Sequence, residues 1–217
     1  MEIWNAIVNF IVASVLMGTT LMYGTLGEIL TEKSGNLNLG VEGLIYMGGA
    51  AGLIAPYLYE QAAGEGASPI IGLILAILAG FLAAAFGSLI FSFLTITLRA
   101  NQNVTGLALT TFGMGVANFF GVFILNGASY SAAPIANKAF SAKIPVLSTL
   151  GGFGQVVFSY GFLVYAAIAL AIALHWFLTR TRAGLNLRAV GENPATADAA
   201  GINVTLYKYL ATCIGAG

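Results

Sequence analysis

Long apolar stretches, separated by short polar ones, run through most of the chain. A helix that crosses a bilayer needs about 20 mainly apolar residues, and five stretches meet this requirement. They lie at approximately 5–27, 39–59, 70–98, 104–125 and 157–179. A sixth begins near Leu206 and reaches Gly217 before it is long enough to cross. The pattern predicts an all-α, polytopic membrane helix bundle, a single transmembrane domain over 1–217 that we expect to be truncated at its C-terminal end.

The composition agrees with a chain that lies in a lipid bilayer. Hydrophobic residues make up 59% and charged residues 7%, whereas soluble domains carry roughly 25% charged residues. The formal net charge is zero, so nothing indicates binding to nucleic acid. The N-terminus lacks the basic region and the small-residue cleavage site of a signal peptide, so we expect the first apolar stretch to remain as a transmembrane helix.

The positive charges predict how the chain is oriented in the membrane. Polar connections occur at 28–38, 60–69, 99–103 and 126–156, and the last has the composition of interfacial pieces rather than a folded domain. Alternation of the spans places 28–38, 99–103 and 180–205 on one side, and these segments together with Lys208 hold six of the eight Lys and Arg residues. Cytoplasmic loops carry an excess of Lys and Arg, so we expect this side, including 180–205, to be cytoplasmic.

Small residues recur at four-residue spacing in two of the predicted spans. The third span contains Gly72, Ala76, Gly80, Ala84 and Ser88, and the fourth contains Gly113, Ala117 and Gly121. Small residues at this spacing share one helix face and allow helix backbones to approach closely. We interpret the stripes as packing surfaces within one bundle, in preference to an interface between subunits.

The chain lacks the residue sets that support chemistry or metal binding. It has no G-x-x-x-x-G-K-[ST] sequence for nucleotide phosphates, one histidine, His175, and one cysteine, Cys213. No catalytic triad or cluster of metal ligands can be assembled from these residues. We therefore expect a protein without a catalytic residue, a metal or a cofactor.

Neutral amides are the main polar groups near the ends of the spans. Amides both donate and accept hydrogen bonds, which suits an uncharged solute that bears hydroxyl groups or a base. They also bond between helices without any ligand. The Glu42 carboxylate would cost free energy inside a span unless it faces a partner or a wet cavity. Alternatively, Glu42 lies near the interface and pairs with a residue such as Lys33. The candidates for a substrate pathway are Asn38, Glu42, Asn101, Gln102, Asn103 and Asn118.

A short polar helix is predicted at 194–200, within the stretch AVGENPATADAAGIN. Asn193 is a preferred N-cap residue, Pro194 suits the first helical position, and Gly201 suits the residue after the helix. The small side chains of Ala197 and Ala200 would lie on one flank. Such a flank fits a groove in another protein, although a capped helix of this kind could also pack on its own bundle.

Two long segments resemble one transporter family. TRAGLNLRAVGENPATADAAGINV (181–204) is similar to the cytoplasmic coupling loop of ABC importer permeases, in the ribose and nucleoside branch of the branched-chain amino acid and ribose permease superfamily. GEILTEKSGNLNLGVEGLIYMGG (27–49) is similar to the N-terminal signature of nucleoside and simple-sugar permeases. The resemblance implies that the loop at 180–205 contacts an ATPase through Gly191, Glu192, Asn193, Pro194, Ala197, Ala200 and Gly201. Bulky residues at Gly191 and Ala200 are then expected to weaken that contact.

The resemblance also implies partners and a location. Family members pair two permease subunits, often related but different chains, and bind separate ABC ATPase subunits and an extracytoplasmic solute-binding protein. The expected location is the lipid bilayer of a bacterial-type plasma (inner) membrane. Nucleosides are the expected solutes, with simple sugars such as ribose or galactose as the alternative. From other classes, an ion-coupled secondary carrier would need more ionisable groups inside the spans, and a structural membrane protein would leave the capped helix without a purpose.

Overall fold

The computed structural model describes residues 2–125, 133–141 and 160–217, and these residues form helices joined by short turns. The helices, in chain order, are α1 (Glu2–Glu32), α2 (Val41–Ala63), α3 (Pro69–Ser92), α4 (Gln102–Leu125), α5 (Pro134–Phe140), α6 (Phe162–Arg180), α7 (Arg182–Glu192), α8 (Pro194–Ala199) and α9 (Val204–Ala216). A 3-10 turn, Gly64–Gly66, follows α2, and a π-helical turn, Phe93–Thr97, continues α3. The described part of the chain contains no β-strand.

Five of these helices are long and apolar enough to cross a membrane, which confirms the predicted spans. They are Ala6–Glu32, Val41–Ala63, Pro69–Thr97, Gln102–Leu125 and Phe162–Arg180. The first extends five residues beyond its predicted end at 27, where Glu28, Leu30 and Glu32 are good helix formers and no proline interrupts the helix. Helix α1 ends just before a turn in which Gly35 has a φ of +83°. The chain is therefore a multi-pass membrane protein.

Helix α2 packs against both α3 and α4, and glycines permit these contacts. A Cβ atom on Gly80 of α3 would lie 3.2 Å from the carbonyl oxygen of Gly48 in α2. A Cβ atom on Gly113 of α4 would lie 2.7 Å from the Cα atom of Gly43. The stripe of small residues on α3 thus packs within the chain, as predicted. On α4 the prediction is right for Gly113 and wrong for Gly121, where a Cβ atom would meet open space.

Helix α9 lies between α1 and α3. The Ser88 hydroxyl of α3 donates to the carbonyl oxygen of Thr212 over 2.8 Å, and the Ser92 and Thr212 hydroxyls bond to each other. On the other side of α9, Gly215 lies against the backbone of Gly27 in α1. These hydroxyl groups satisfy one another in a region that is otherwise apolar, which holds α9 in place.

The polar connections separate to the two ends of the bundle. Segments 28–38, 99–103 and 180–205 meet at one end, where the Leu37 N–H donates to Gln102 and Gly35 lies against Gly191. This grouping is the one that alternation of the spans predicts. At the other end, the Glu60 carboxylate of α2 accepts from the backbone N–H groups of Ile135 and Ala136, at the start of α5. Helix α5 is the described part of the predicted interfacial loop at 126–156, and the rest of that loop lies outside the described residues.

The close contact between α4 and α2 predicts opposite outcomes for the same substitution at two glycines. Gly113→Leu should lower the free energy of unfolding in detergent by about 2 kcal/mol, because overpacking a tight contact forces the backbones apart. Gly121→Leu adds the same side chain where there is space, and the change should stay within about 0.5 kcal/mol. Denaturant unfolding of both variants measures the difference. Equal losses in the two variants would contradict the packing described for α4.

Candidate functional site

The polar end of the bundle begins where α6 stops and α7 starts. Thr181 has extended backbone angles, and its side-chain oxygen accepts from the N–H of Gly184 over 3.0 Å, which caps α7. Leu187 and Val190 of α7 are buried. Leu187 packs with Leu178 of α6 and Ala211 of α9. Helix α7 is therefore held on the ends of three other helices, including α1, whose Ile29 and Leu30 border the same cluster.

Sequence reasoning missed α7, because it treated residues 180–190 as a basic connection. The signal was present in the chain. Gly184, Leu187 and Val190 are the buried positions of α7 and recur every three residues, which suits one helix face, and Thr181 precedes them as an N-cap residue. Three arginines in this stretch hid the pattern, since they gave it the composition of a solvated loop.

Helix α8 follows directly and is capped at both ends. The Asn193 side chain accepts from the Thr196 N–H over 3.1 Å, and Pro194 occupies the first turn, as predicted. The Gly201 N–H donates to the Asp198 carbonyl and the Ile202 N–H to the Ala197 carbonyl, at 2.9 and 3.0 Å. With Gly201 at a φ of +81°, these two bonds form a Schellman motif. The caps fix a helix that would be unstable by itself in water.

The two alanines that were expected to share a flank of α8 lie in different surroundings. Ala197 is 3% exposed and faces the rest of the chain, whereas Ala200 is exposed. The reason is that the helix ends at Ala199 and Ala200 already belongs to the turn. The two alanines thus do not form the one exposed flank that the sequence predicts, because Ala197 is covered by its own chain. The exposed face of α8 is instead formed by Pro194, Ala195, Thr196, Asp198 and Ala199.

Gly191 also faces its own chain. A Cβ atom at this position would lie 3.0 Å from the carbonyl carbon of Lys33 and 3.1 Å from the backbone nitrogen of Gly35. A bulky residue at Gly191 would therefore also disturb the turn between α1 and α2, and the contact of Gly191 with a partner stays a prediction. The neighbouring Glu192 is exposed, and its carboxylate lies 3.9 Å from Arg188.

Three of the substrate-pathway candidates have bonds within the chain. Asn38 is 4% exposed, and its side-chain oxygen accepts from the Gly40 N–H over 2.9 Å. The Gln102 side-chain oxygen accepts from the Leu37 N–H over 2.8 Å. The Asn101 side-chain oxygen accepts from the Val104 N–H over 3.2 Å, which caps the start of α4. Asn38 and Gln102 thus lie in the same polar cluster, and their side chains shape the loop that enters α2.

The other three candidates are exposed and are not brought together as one set. Glu42 lies in the first turn of α2, and Asn103 in the first turn of α4. Asn118 lies fifteen positions after Asn103 on α4, which is about 22 Å along a helix. The structure thus leaves Glu42 and Asn103 at the polar end and places Asn118 in the half of α4 that lies away from it.

Sequence reasoning missed Glu28, which it assigned to a polar connection. This residue lies inside the span Ala6–Glu32 and is partly buried. Its carboxylate accepts from the backbone N–H of Asn38 over 2.9 Å, so it ties the loop before α2 to α1. The signal was the run of good helix formers that continues α1 beyond Gly27. Among residues 2–125, 133–141 and 160–217, no three His, Cys, Asp or Glu side chains gather as a metal site requires.

Known proteins resemble this chain over nearly all of its length. It is 34% identical over 213 residues to a guanosine ABC transporter permease protein of Bacillus subtilis, which covers 94% of this chain and 64% of the relative. It is 32% identical to a putative glucose ABC transporter permease protein of Haloferax volcanii, covering 94% and 58%. It is 30% identical to a nucleoside ABC transporter permease protein of Lactococcus lactis, covering 96% and 64%. The chain thus spans less than two thirds of the length of these relatives.

The family-level comparison matches almost the whole chain. No solved structure matches it. The profile described as "Branched-chain amino acid transport system / permease component" matches residues 10–217, which include all five spans except the start of the first. The chain belongs to the family of branched-chain amino acid transport system permease components.

Proposed function

We propose that this chain is the membrane-spanning permease subunit of a binding-protein-dependent ABC importer for nucleosides, driven by ATP that a separate chain hydrolyses. The observation that carries the proposal is α8, a short helix that is fixed at both ends and exposes a face of small side chains at the polar end of the bundle. A rigid surface of this kind suits contact with another protein. It offers no reactive group, so its role is mechanical.

The exposed face of α8 is the proposed contact with the ATPase. Ala195 and Ala199 are one helical turn apart and both exposed, so a partner's groove can approach the helix backbone closely. Asp198 adds a negative charge to this face. The chain contains no G-x-x-x-x-G-K-[ST] sequence, which agrees with nucleotide binding in a different subunit. Glu192, Asn193, Pro194, Ala200 and Gly201 remain part of the proposed coupling loop, since they shape α8 or border its exposed face.

The other proposed partners follow from the family and the charge distribution. A second permease subunit, related but different, would complete the pathway, and an extracytoplasmic binding protein would deliver the solute at the end that carries α5. Residues 180–205 would be cytoplasmic, in a plasma (inner) membrane. Supporting this orientation, the segments 28–38, 99–103 and 180–205, with five of the eight Lys and Arg residues, lie together at the end that carries α8.

Nucleosides are the favoured solutes because two of the relatives are named for them, one for guanosine and one for nucleosides in general. The relative from Haloferax volcanii, named for glucose, favours a simple sugar as the second candidate. Both solutes are neutral and rich in hydroxyl groups, so both can be bound by amide and carboxylate side chains. Among the pathway candidates we propose Glu42 and Asn103, whose side chains are exposed at the polar end, as groups that line the exit of the pathway.

The proposed contact predicts a loss of the ATPase when α8 is enlarged. The complete permease, affinity-tagged and purified from its native membrane, should bring down a chain with a P-loop sequence. Ala199→Trp should lower the amount of this chain by at least about tenfold, because the ring prevents close approach to the groove, equivalent to about 1.4 kcal/mol or more. Ala62→Trp, which adds the same ring to an exposed alanine at the other end of the bundle, should leave the amount unchanged.

The result that would contradict the proposal concerns the unmodified permease. If it transports guanosine normally and purifies without any P-loop chain, it is not driven by a separate ATPase. If the P-loop chain is present and Ala199→Trp retains it fully, the contact lies elsewhere on the permease.

The proposed pathway predicts weaker solute binding when its polar groups are removed. The double variant Glu42→Ala, Asn103→Ala should raise the KM for guanosine uptake by about thirtyfold, since each of the two lost hydrogen bonds to solute costs about 1 kcal/mol. Gln61→Ala, at the opposite end of α2, serves as the control and should keep the KM of the unmodified permease. Uptake that remains normal after Asn38, Glu42 and Asn103 are all replaced with alanine would remove these residues from the pathway.

A further inference from the structure

The last turn of α7 lies directly against the turn that joins α1 to α2. A Cβ atom on Gly35 would lie 3.3 Å from the Cα atom of Gly191, and a Cβ atom on Gly191 would lie 3.1 Å from the nitrogen of Gly35. Backbone therefore meets backbone, with no flexible side chain between the two segments. Gly191 is two residues before Asn193, which caps both α7 and α8. A displacement of α8 would consequently be transmitted to the α1–α2 turn with little reduction in its size.

The turn that receives this contact is braced from within. The Ser34 hydroxyl is fully buried and donates to the Thr31 carbonyl over 2.6 Å. The Asn36 side-chain nitrogen donates to the Ser34 oxygen over 3.3 Å, and Asn36 is 2% exposed. Gly35 has a φ of +83°, which other residues rarely adopt. Residues 33–36 are thus held as one unit that can move as a body.

The next contact in the series is made by Gln102, the first residue of α4. Its side-chain oxygen accepts from the Leu37 N–H over 2.8 Å, and its side-chain nitrogen lies 3.5 Å from the Asn36 oxygen. One side chain therefore ties two consecutive residues of the loop to the start of a membrane span. Among the described residues, Gln102 provides the polar connection between α4 and residues 36 and 37.

Beyond Gln102, the loop and α4 are joined along their backbones. A Cβ atom on Gly106 would lie 2.7 Å from the nitrogen of Leu39, and the Thr110 hydroxyl donates to the Leu39 carbonyl over 3.2 Å. Further along, Gly113 lies against Gly43 of α2. Close contacts thus continue from the α1–α2 loop along the first three turns of α4.

We infer that motion delivered at α8 enters the membrane through the turn at residues 33–37 and is passed to α4, with Gln102 as the positioning residue of this connection. The inference rests on the proposed function, since it requires an ATPase that moves α8. The apolar contacts of Leu187 with α6 and α9 hold α7 in place, but apolar surfaces can slide over each other. The glycine contact leaves no side chain that could yield between the two backbones, and the hydrogen bonds of Gln102 are directional, so these contacts assign α4 as the span that responds.

The test measures the ratio of guanosine transported to ATP hydrolysed and compares the unmodified complex with its variants. Each complex is purified through the complete permease and placed in proteoliposomes. Gln102→Ala should lower this ratio at least fivefold while the ATPase still co-purifies, because α8 is intact and only its connection to α4 is lost. Gln102→Glu keeps an oxygen that can accept from the Leu37 N–H and should retain most of the ratio. Gln61→Ala, a glutamine at the opposite end of the bundle that bonds to Tyr57, should behave as the unmodified complex.

A second measurement separates coupling from a general loss of structure. Spin labels at Val122→Cys on α4 and Ile70→Cys on α3, both exposed, report the distance between the two spans in a Cys213→Ser background. ATP should change this distance in the otherwise unmodified complex. With Gln102→Ala the distance without ATP should be unchanged and the response to ATP should be lost.

The inference is overturned if Gln102→Ala keeps the full ratio, if Gln102→Glu loses as much as Gln102→Ala, or if α4 still responds to ATP in the alanine variant. These outcomes are distinct from failure of the proposed function. If the proposed function fails, no P-loop chain purifies with the unmodified permease, and no ratio of guanosine transported to ATP hydrolysed can be measured.

Discussion

Close backbone approach at glycine is the interaction on which the rest of this structure depends. In a bilayer, helices gain little from apolar contact alone, because lipid tails are as apolar as their side chains, so tight packing must hold them together. Gly43 and Gly48 of α2 provide it against α4 and α3. The same kind of contact occurs outside the spans, where Gly191 of α7 meets Gly35. One packing mode thus serves both the bundle and its polar end.

The polar groups of the described residues follow from this packing. Helices that approach closely leave little room for water, so hydroxyl and amide groups in the contacts must bond to one another. Ser88 and Ser92 bond to Thr212, and Gln102 bonds to the loop before α2. Glu28 is satisfied in the same way by the Asn38 N–H. The polar end is consequently a firm structure rather than a set of loose loops, and α8 is fixed upon it.

Local patterns in the sequence were sufficient to predict the spans and the caps of α8, because span length, N-cap chemistry and glycine at positive φ are properties of short segments. Contacts between distant segments were not predictable in this way. Ala197 and Ala200 look equivalent along the chain, but only one is covered by the rest of the protein. The sequence predicts Asn38 and Gln102 as solute-binding residues. Only the fold shows the backbone N–H groups that bond to their side chains. Helix α7 was not predicted for a simpler reason, because its arginines give the segment the composition of a solvated loop.

We propose that α8 is the surface at which a separate ATPase acts on this membrane protein. Photo-cross-linking from position 196, with a photoreactive residue in place of the exposed Thr196 in the complete permease, tests it most directly. We expect one dominant cross-linked product, in which the partner is a chain with a P-loop sequence. If position 196 gives no protein product, or links only to a chain without a P-loop, while the ATPase cross-links from another part of the permease, α8 is not the surface at which the ATPase acts.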